Sequence, residues 1–268
     1  MARAYVTMLT GGDAYVPGVE ALGSSLRATT PTAPQMVMVT AEVSETARAR
    51  LANQGWTIRE IEPIANPNPE SALLFPRFGQ TFAKLRAWDL PELDKVVFLD
   101  ADTIVLRNLD WLFERPSFAA APDFFFTDRF NSGVMVLDPS PAVFQAMMQQ
   151  LGRFPSYDGG DQGFLGDFFP DWYAMPVANR LPAGCNMHHF VFQFLHAHPL
   201  LKQRLLDEVY VVHYTLQKPW LTATVSGGSD LWWQHFLDVH PERHRAWLDR
   251  LHALEDWSFE RVVAALAA

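Results

Sequence analysis

The sequence predicts an α/β fold: a mostly parallel central sheet and a helical extension at its carboxyl end. Three observations lead there. Over the first hundred residues, short apolar runs alternate with segments of helical periodicity, the pattern of a parallel sheet covered by helices on both faces. Hydrophobic residues make up 49% of the 268-residue chain, enough to bury one large core. Gly and Pro punctuate the runs where strand must give way to turn or helix.

The elements follow in order. "AYVTML" (Ala4 to Leu9) is the first strand, and "TGGDAY" a turn after it. Pro17 suits the first turn of a helix that carries Val16, Val19, Leu22 and Leu26 at helical spacing. "QMVMVT" (Gln35 to Thr40) is the second strand. Ser44 is the N-cap of "ETARARLANQ", with Gly55 the residue past its end. "WTIREI" (Trp56 to Ile61) is the third strand, and "EPIANPNPES", with three prolines, is irregular. A helix around Phe82 to Trp88 leads into "VVFLDADTIVL", Val96 to Leu106. That stretch reads as one buried strand, apolar on both faces, with Asp100 and Asp102 in its middle.

Those two acids raise the first chemical question, because carboxylates enter a core only when paired or when they hold a metal. Residues two apart in a strand share a side, so both carboxylates converge. They lie near the carboxyl end of "KVVFL", where ligands of open α/β sheets bind. A divalent cation between them relieves the repulsion, and an all-oxygen site favours Mg or Mn. The alternative is a strand-end pair that caps loop backbone.

Further clusters follow. "FNSGVMVLDPS" (Phe130 to Ser140) holds a strand through Val134, Val136 and Leu137, with small polar residues at its entry. In "YDGGDQGFL" (Tyr157 to Leu165), a tight turn opens a helix with Asp161 and Gln162 in its first turn. An ordinary helix start also favours Asp there. "EVYVVHYTLQKPW" (Glu208 to Trp220) is the last strand-like run. Its His213 is either a core histidine or a ligand, and Lys218 either a solvated lysine or a site cation. Residues 1–224 are read as one domain. Residues 225–268 are read as a helical extension packed on it, with Trp232, Trp233, Trp247 and Trp257 as packing rings or, for one of them, an acceptor-stacking ring.

Composition excludes some classes. A formal net charge of -9 argues against a general nucleic-acid binder while leaving room for one small phosphorylated ligand. The single cysteine, Cys185, permits no internal disulfide and fits a reducing compartment. With no signal-like amino terminus and no long apolar run, a cytoplasmic protein without a membrane span is expected. No G-K-[ST] follows "TGGDAY", and neither G-x-S-x-G nor H-E-x-x-H occurs, so P-loop, serine-hydrolase and zincin chemistry lack support.

Six motifs in order carry a resemblance: "YVTMLTGGDAYVPGVEALGSSL", "TFAKLRAW", "VVFLDADTIVLRNLDWLF", "FNSGVMVLDPS", "DGGDQGFL" and "VVHYTLQKPW". Together they resemble glycosyltransferase family 8, whose members include glycogenin and galactinol synthase. The resemblance implies a GT-A fold and retaining transfer of a hexose from UDP-glucose or UDP-galactose, usually with Mn²⁺ (Mg²⁺ is the other candidate). By resemblance Asp100, Asp102 and His213 are metal ligands, with Ala101 between them, and Lys218 contacts the diphosphate. Leu9, Thr10 and Tyr15 match the uridine side, with Tyr15 the stacking ring. Arg77 and Lys84 match cations near the phosphates and donor sugar. Asp123, Asn131, Ser132, Gly133, Asp161 and Gln162 match the donor-sugar cradle, and Asp161, Gln162 and Lys84 are the catalytic candidates. The segment after Leu181-Pro182, "AGCNMHHFVFQFLHAHP", has no tyrosine to glucosylate, so the implied acceptor is an external saccharide or polyol. "GWTIREIEPI" resembles the galactinol-synthase branch and "DGGDQG" the glycogenin one. Self-glucosylation and a catalytically inactive sugar-nucleotide-binding protein are the rival readings. The family resemblance also allows a homodimer.

Overall fold

The computed structural model describes residues 1–68, 70, 76–154, 156–216, 218–221 and 229–243, with backbone alone for 76–78 and 243. The main sheet joins β1 (Arg3–Leu9), β2 (Gln35–Val39), β3 (Trp56–Glu60), β4 (Lys95–Leu99), β6 (Ala119–Pro122) and β7 (Phe130–Leu137). Its order is β3-β2-β1-β4-β7-β6. The first three pairings are parallel and those of β7 antiparallel.

Alternation along the strands fills two layers. Tyr5, Leu9, Val37 and Val97 enter one core, while Ala4, Val6, Met36 and Phe98 enter the other. The first layer is closed by α1 (Val16–Ala28), through Val19, Leu22 and Leu26, and by α2 (Glu45–Asn53), through Ala47 and Leu51. Pro17 lies in the first turn of α1, and the Ser44 side chain caps α2 by accepting from Ala47 N–H. The second layer is closed by α3 (Pro141–Gln150), α4 (Asp161–Phe168) and a segment of 3-10 hydrogen bonding, Pro76–Trp88. That segment replaces the expected helix at Phe82 to Trp88 and starts earlier. Each fully buried large apolar side chain in these layers contributes about 1.5–3 kcal/mol relative to exposure.

One expectation is corrected. "VVFLDADTIVL" is not one strand: β4 ends at Leu99, the chain turns through residues 100–102, and β5 (Thr103–Val105) joins a different sheet. The second sheet has the order β5-β9-β8, with β8 (Met187–His188) and β9 (Val211–His213). The turn is closed by Thr103, whose N–H and hydroxyl both donate to Asp100 C=O at 3.1 and 2.7 Å. The carboxylates therefore converge because the backbone bends, not because a strand repeats every two residues.

The second sheet packs with α5 (His189–Ala197), α6 (Pro199–Leu205) and α7 (Ser229–Val239) around Ile104, Val212, Phe192, Leu195, Trp232 and Phe236. Ala21 of α1 belongs to the same cluster. Past α7, His240 Nε2 lies 3.0 Å from the fully buried Glu20 carboxylate. Trp232 is a packing ring, stacked on Phe236 at 4.9 Å. The expected boundary at 224/225, and Trp247 and Trp257, lie outside the described residues. Among the described residues no helix is long and apolar enough to cross a membrane.

Candidate active site

The carboxyl ends of β1 and β4, the entry of β7, the start of α4 and the end of β9 surround one cavity of about 600 Å³, a size that suits a small ligand. Thr10, Tyr15, Lys84, Asp100, Ala101, Asp102, Asn131, Ser132, Asp161, Gln162, His213 and Lys218 all line it. Residues separated by up to about two hundred positions thus share one space.

β5 and β9 bring the aspartates to the histidine. Their antiparallel register pairs Thr103 with His213, and Tyr214 N–H donates to Asp102 C=O at 2.9 Å. His213 Nε2 then lies 3.1 Å from Asp102 Oδ1 and 3.8 Å from Asp100 Oδ2. One ligand atom from each of the three residues falls within 4.8 Å of the others. The opposite ring nitrogen, Nδ1, lies 2.8 Å from Asn186 Oδ1. An amide oxygen can only accept, so Nδ1 donates to it, and the ring turns Nε2 toward the aspartates. Two carboxylates and an imidazole nitrogen that face one another can hold a cation between them. The donor set fits a divalent metal with mixed oxygen and imidazole ligation.

Cations already brace the aspartates from outside. Lys84 Nζ lies 2.9 Å from Asp100 Oδ1 and 2.8 Å from Asp161 Oδ2, and donates to Ser132 Oγ at 3.1 Å. Burial lowers its pKa, but the two aspartates outweigh burial and raise it. Lys84 is therefore a firmly charged strut between Asp100 and Asp161 rather than a free phosphate ligand. Lys218 donates to Asp102, and to Tyr214 C=O and Thr215 C=O at 2.6 and 2.9 Å. Burial raises the Asp102 carboxyl, yet Lys218 and His213 outweigh it and hold the group well below the usual range. Asp100 is pushed up, by burial first, with Lys84 opposing.

The other side of the cavity is a buried hydrogen-bond chain. Asn186 Nδ2 donates to Asn131 Oδ1 at 2.7 Å, and Asn131 Nδ2 to Asp123 Oδ2 at 3.0 Å. Gln162 Nε2 donates to the same Asp123 oxygen at 3.3 Å and to the Tyr157 hydroxyl at 2.7 Å. Its carbonyl accepts from Ser132 N–H at 3.2 Å, and Ser132 Oγ donates to Asp161 at 2.8 Å. Asp123 and Gly133 sit behind the lining. A Cβ on Gly133 would come within 2.3 Å of His213 Cε1, so glycine there gives the imidazole its room. The Leu9 side chain is buried in the core, and its neighbours Met8 and Thr10 line the cavity. Alternation along β1 is the reason. The Arg77 side chain lies outside the described residues. Asn186, Tyr157 and Trp220 were not singled out from sequence. Trp220 meets the Tyr15 ring edge-on at 5.3 Å and donates to Ala14 C=O at 2.9 Å.

This geometry defines a class: a sheet-end cavity holding an Asp-Asp-His group beside a polar cradle, in a GT-A glycosyltransferase fold. The fold is shared with the galactosyltransferase LgtC, solved with donor and acceptor sugar analogs, at a TM-score of 0.59 and 20% identity over 86% of this chain and 95% of that one. The family model for Glycosyl transferase family 8 matches residues 6–121. Glycogenin-1 of Caenorhabditis elegans is 35% identical over 90% of this chain and 56% of its own length. The UDP-glucuronate:xylan alpha-glucuronosyltransferase 1 of Arabidopsis thaliana is 33% identical over 91% of this chain and 36% of its own. The chain belongs to glycosyltransferase family 8. It spans between about a third and three-fifths of the length of these curated relatives.

Proposed function

We propose that the chain is a retaining, metal-dependent glycosyltransferase that moves a neutral hexose, glucose or galactose, from its UDP-sugar to an external hydroxyl. The observation that carries this reading is the Asp100–Asp102–His213 group, with ligand atoms within 4.8 Å of one another, beside the Asp161–Gln162 cradle. Charge supports the metal. Among the described residues four aspartates line the cavity against two lysines, a balance that favours a further cation beside an entering diphosphate. When bound, Mn²⁺ or Mg²⁺ supplies Lewis-acid stabilisation of the charge left on UDP.

The chain's own residues do the rest. Lys218 offers a fixed positive charge to the leaving diphosphate. Asp161, held by Lys84 and Ser132, faces the positive charge that develops at the anomeric carbon. The C1–O bond to the β-phosphate breaks while the acceptor oxygen bonds to C1 from the same face. The acceptor's proton passes to a phosphate oxygen. Gln162 positions rather than attacks: an amide is a poor nucleophile, and both its polar atoms are engaged.

A uronate donor is the second reading, favoured by the glucuronosyltransferase among the relatives. Against it, both lysines among the described lining residues already face carboxylates, which leaves a C6 carboxylate poorly matched. Self-glucosylation is disfavoured because the segment after Pro182 lacks tyrosine. UDP release from UDP-glucose, UDP-galactose and UDP-glucuronate, with Mn²⁺ and an acceptor panel, tests this. A neutral donor is expected to lead. No UDP release from any donor sinks the enzymatic reading, and preference for UDP-glucuronate sinks the neutral-hexose one.

A further inference from the structure

Resting on that transferase reading, we infer that the acceptor is a saccharide, seated on an aromatic wall that Phe124, Phe125 and Phe126 raise beside the cavity. The three rings are 47%, 64% and 54% exposed. Three consecutive exposed phenylalanines form the kind of apolar patch that marks a binding surface. Their loop is ordered: Phe125 N–H and Phe126 N–H donate to Asp123 Oδ1 at 2.8 and 3.3 Å, and Arg129 N–H closes the turn on Phe126 C=O at 2.8 Å.

The wall is continuous with the candidate site. The other oxygen of Asp123 accepts from Asn131 and from Gln162, so one carboxylate fixes both the aromatic loop and the cradle. The Phe126 ring lies 6.1 Å from that of Tyr157, whose hydroxyl accepts from Gln162. At the other end, Phe124 and Phe125 lie 5.6 and 6.0 Å from the His188 ring. The His188 ring in turn lies 6.2 Å from that of His213. An acceptor on this surface would have its reactive hydroxyl between Gln162 and the Asp-Asp-His group.

Chemistry selects the occupant. Phenylalanine faces suit the C–H faces of pyranose rings, but they suit a lipid or an apolar protein surface as well. His188 separates these cases. It is 5% exposed, its Nδ1 is 3.3 Å from Thr215 Oγ1, and its Nε2 has no hydrogen-bond partner among the described residues. A wholly apolar ligand over these rings would leave that nitrogen unpaired, which is costly. A ligand that carries hydroxyls on an apolar ring can supply the missing partner once the rings part, since a hydroxyl both donates and accepts. A pyranose oligomer meets both demands.

Saturation-transfer NMR on the full chain, with maltotetraose, cellotetraose and xylotetraose as probes, tests this, each with and without UDP and Mg²⁺. At least one tetraose should receive saturation from the protein. Phe125→Ala/Phe126→Ala should weaken it about tenfold, with UDP affinity by calorimetry and the melting temperature unchanged. His188→Phe should weaken it too. The inference is overturned if no tetraose binds, if the double variant binds equally well, or if phosphatidylcholine vesicles are retained through the same phenylalanines. Failure of UDP to bind would instead sink the transferase reading alone, because the tetraose arm without UDP still decides for or against the wall.

Discussion

Asp102 carries the largest single burden in the site. It faces His213 on one oxygen and Lys218 on the other, so its charge matters more than its shape. Asp102→Asn keeps the shape and removes the charge. Transfer should fall by well over a hundredfold with the far-UV spectrum retained, and the melting temperature should drop because Lys218 loses its buried partner. Activity that survives with unaltered metal dependence would end the metal reading of the turn. Asn186 acts one step back. It fixes the tautomer of His213 and joins that imidazole to Asn131. Asn186→Ala should weaken Mn²⁺ binding by about 10–100-fold, the usual range for partners of metal-ligating histidines. Electron paramagnetic resonance titration of free Mn²⁺ reads this without turnover, and an unchanged affinity would reduce Asn186 to a packing residue.

At the scale of elements, the first three strands and α1 and α2 were legible because each carries a local signal: apolar runs, Pro17, the Ser44 cap. The start of α4 was legible for the same reason, through "DGGDQG". The small second sheet was not. β8 and β9 are two and three residues long, too short for periodicity, and their pairing depends on partners far along the chain. The bend at Asp100–Asp102 was hidden too, since apolar residues flank it on both sides and belong to two different cores. Asn186 and Tyr157 have roles only through partners that sequence spacing does not reveal. The Leu9 side chain faces the core while Met8 and Thr10 line the cavity, because one position along a strand means the opposite face.

The join between β8 and α5 has a consequence for pH. Burial, reinforced by His213, lowers the pKa of His188 and of His189 to about 4. Unfolded, both titrate near 6.5. Between these values the unfolded chain binds more protons, so stability must rise with pH through the window. The contribution is complete above about pH 6.5 and is lost as pH falls toward 4. Melting temperature should decline over that interval, and His188→Gln/His189→Gln should flatten the decline. A wild-type profile that is flat from pH 6.5 to 4 would contradict the buried, neutral state of these rings.

Among the described residues two large cores and a smaller third one hold the molecule, and the cavity lies where the two sheets meet. Among the described residues that line it, four are aspartates and two are lysines, and both lysines are already engaged. This charge pattern makes stability depend on what the cavity holds. A ligand that binds only the folded chain stabilises it by RT ln(1 + [L]/Kd), about 2.7 kcal/mol at a hundredfold excess over Kd. In a chain of this size that corresponds to roughly 5–10 °C. UDP with Mn²⁺ should therefore raise the melting temperature by that amount, and chelation should abolish the shift. UDP alone should do little, because a diphosphate then meets the carboxylates of Asp100 and Asp102 with no metal between them. Asp102→Asn should lose most of the shift with metal, since it removes a ligand. An equal shift from UDP with and without divalent metal would mean that lysines alone bind the diphosphate, and the reading built on the Asp-Asp-His group would fall.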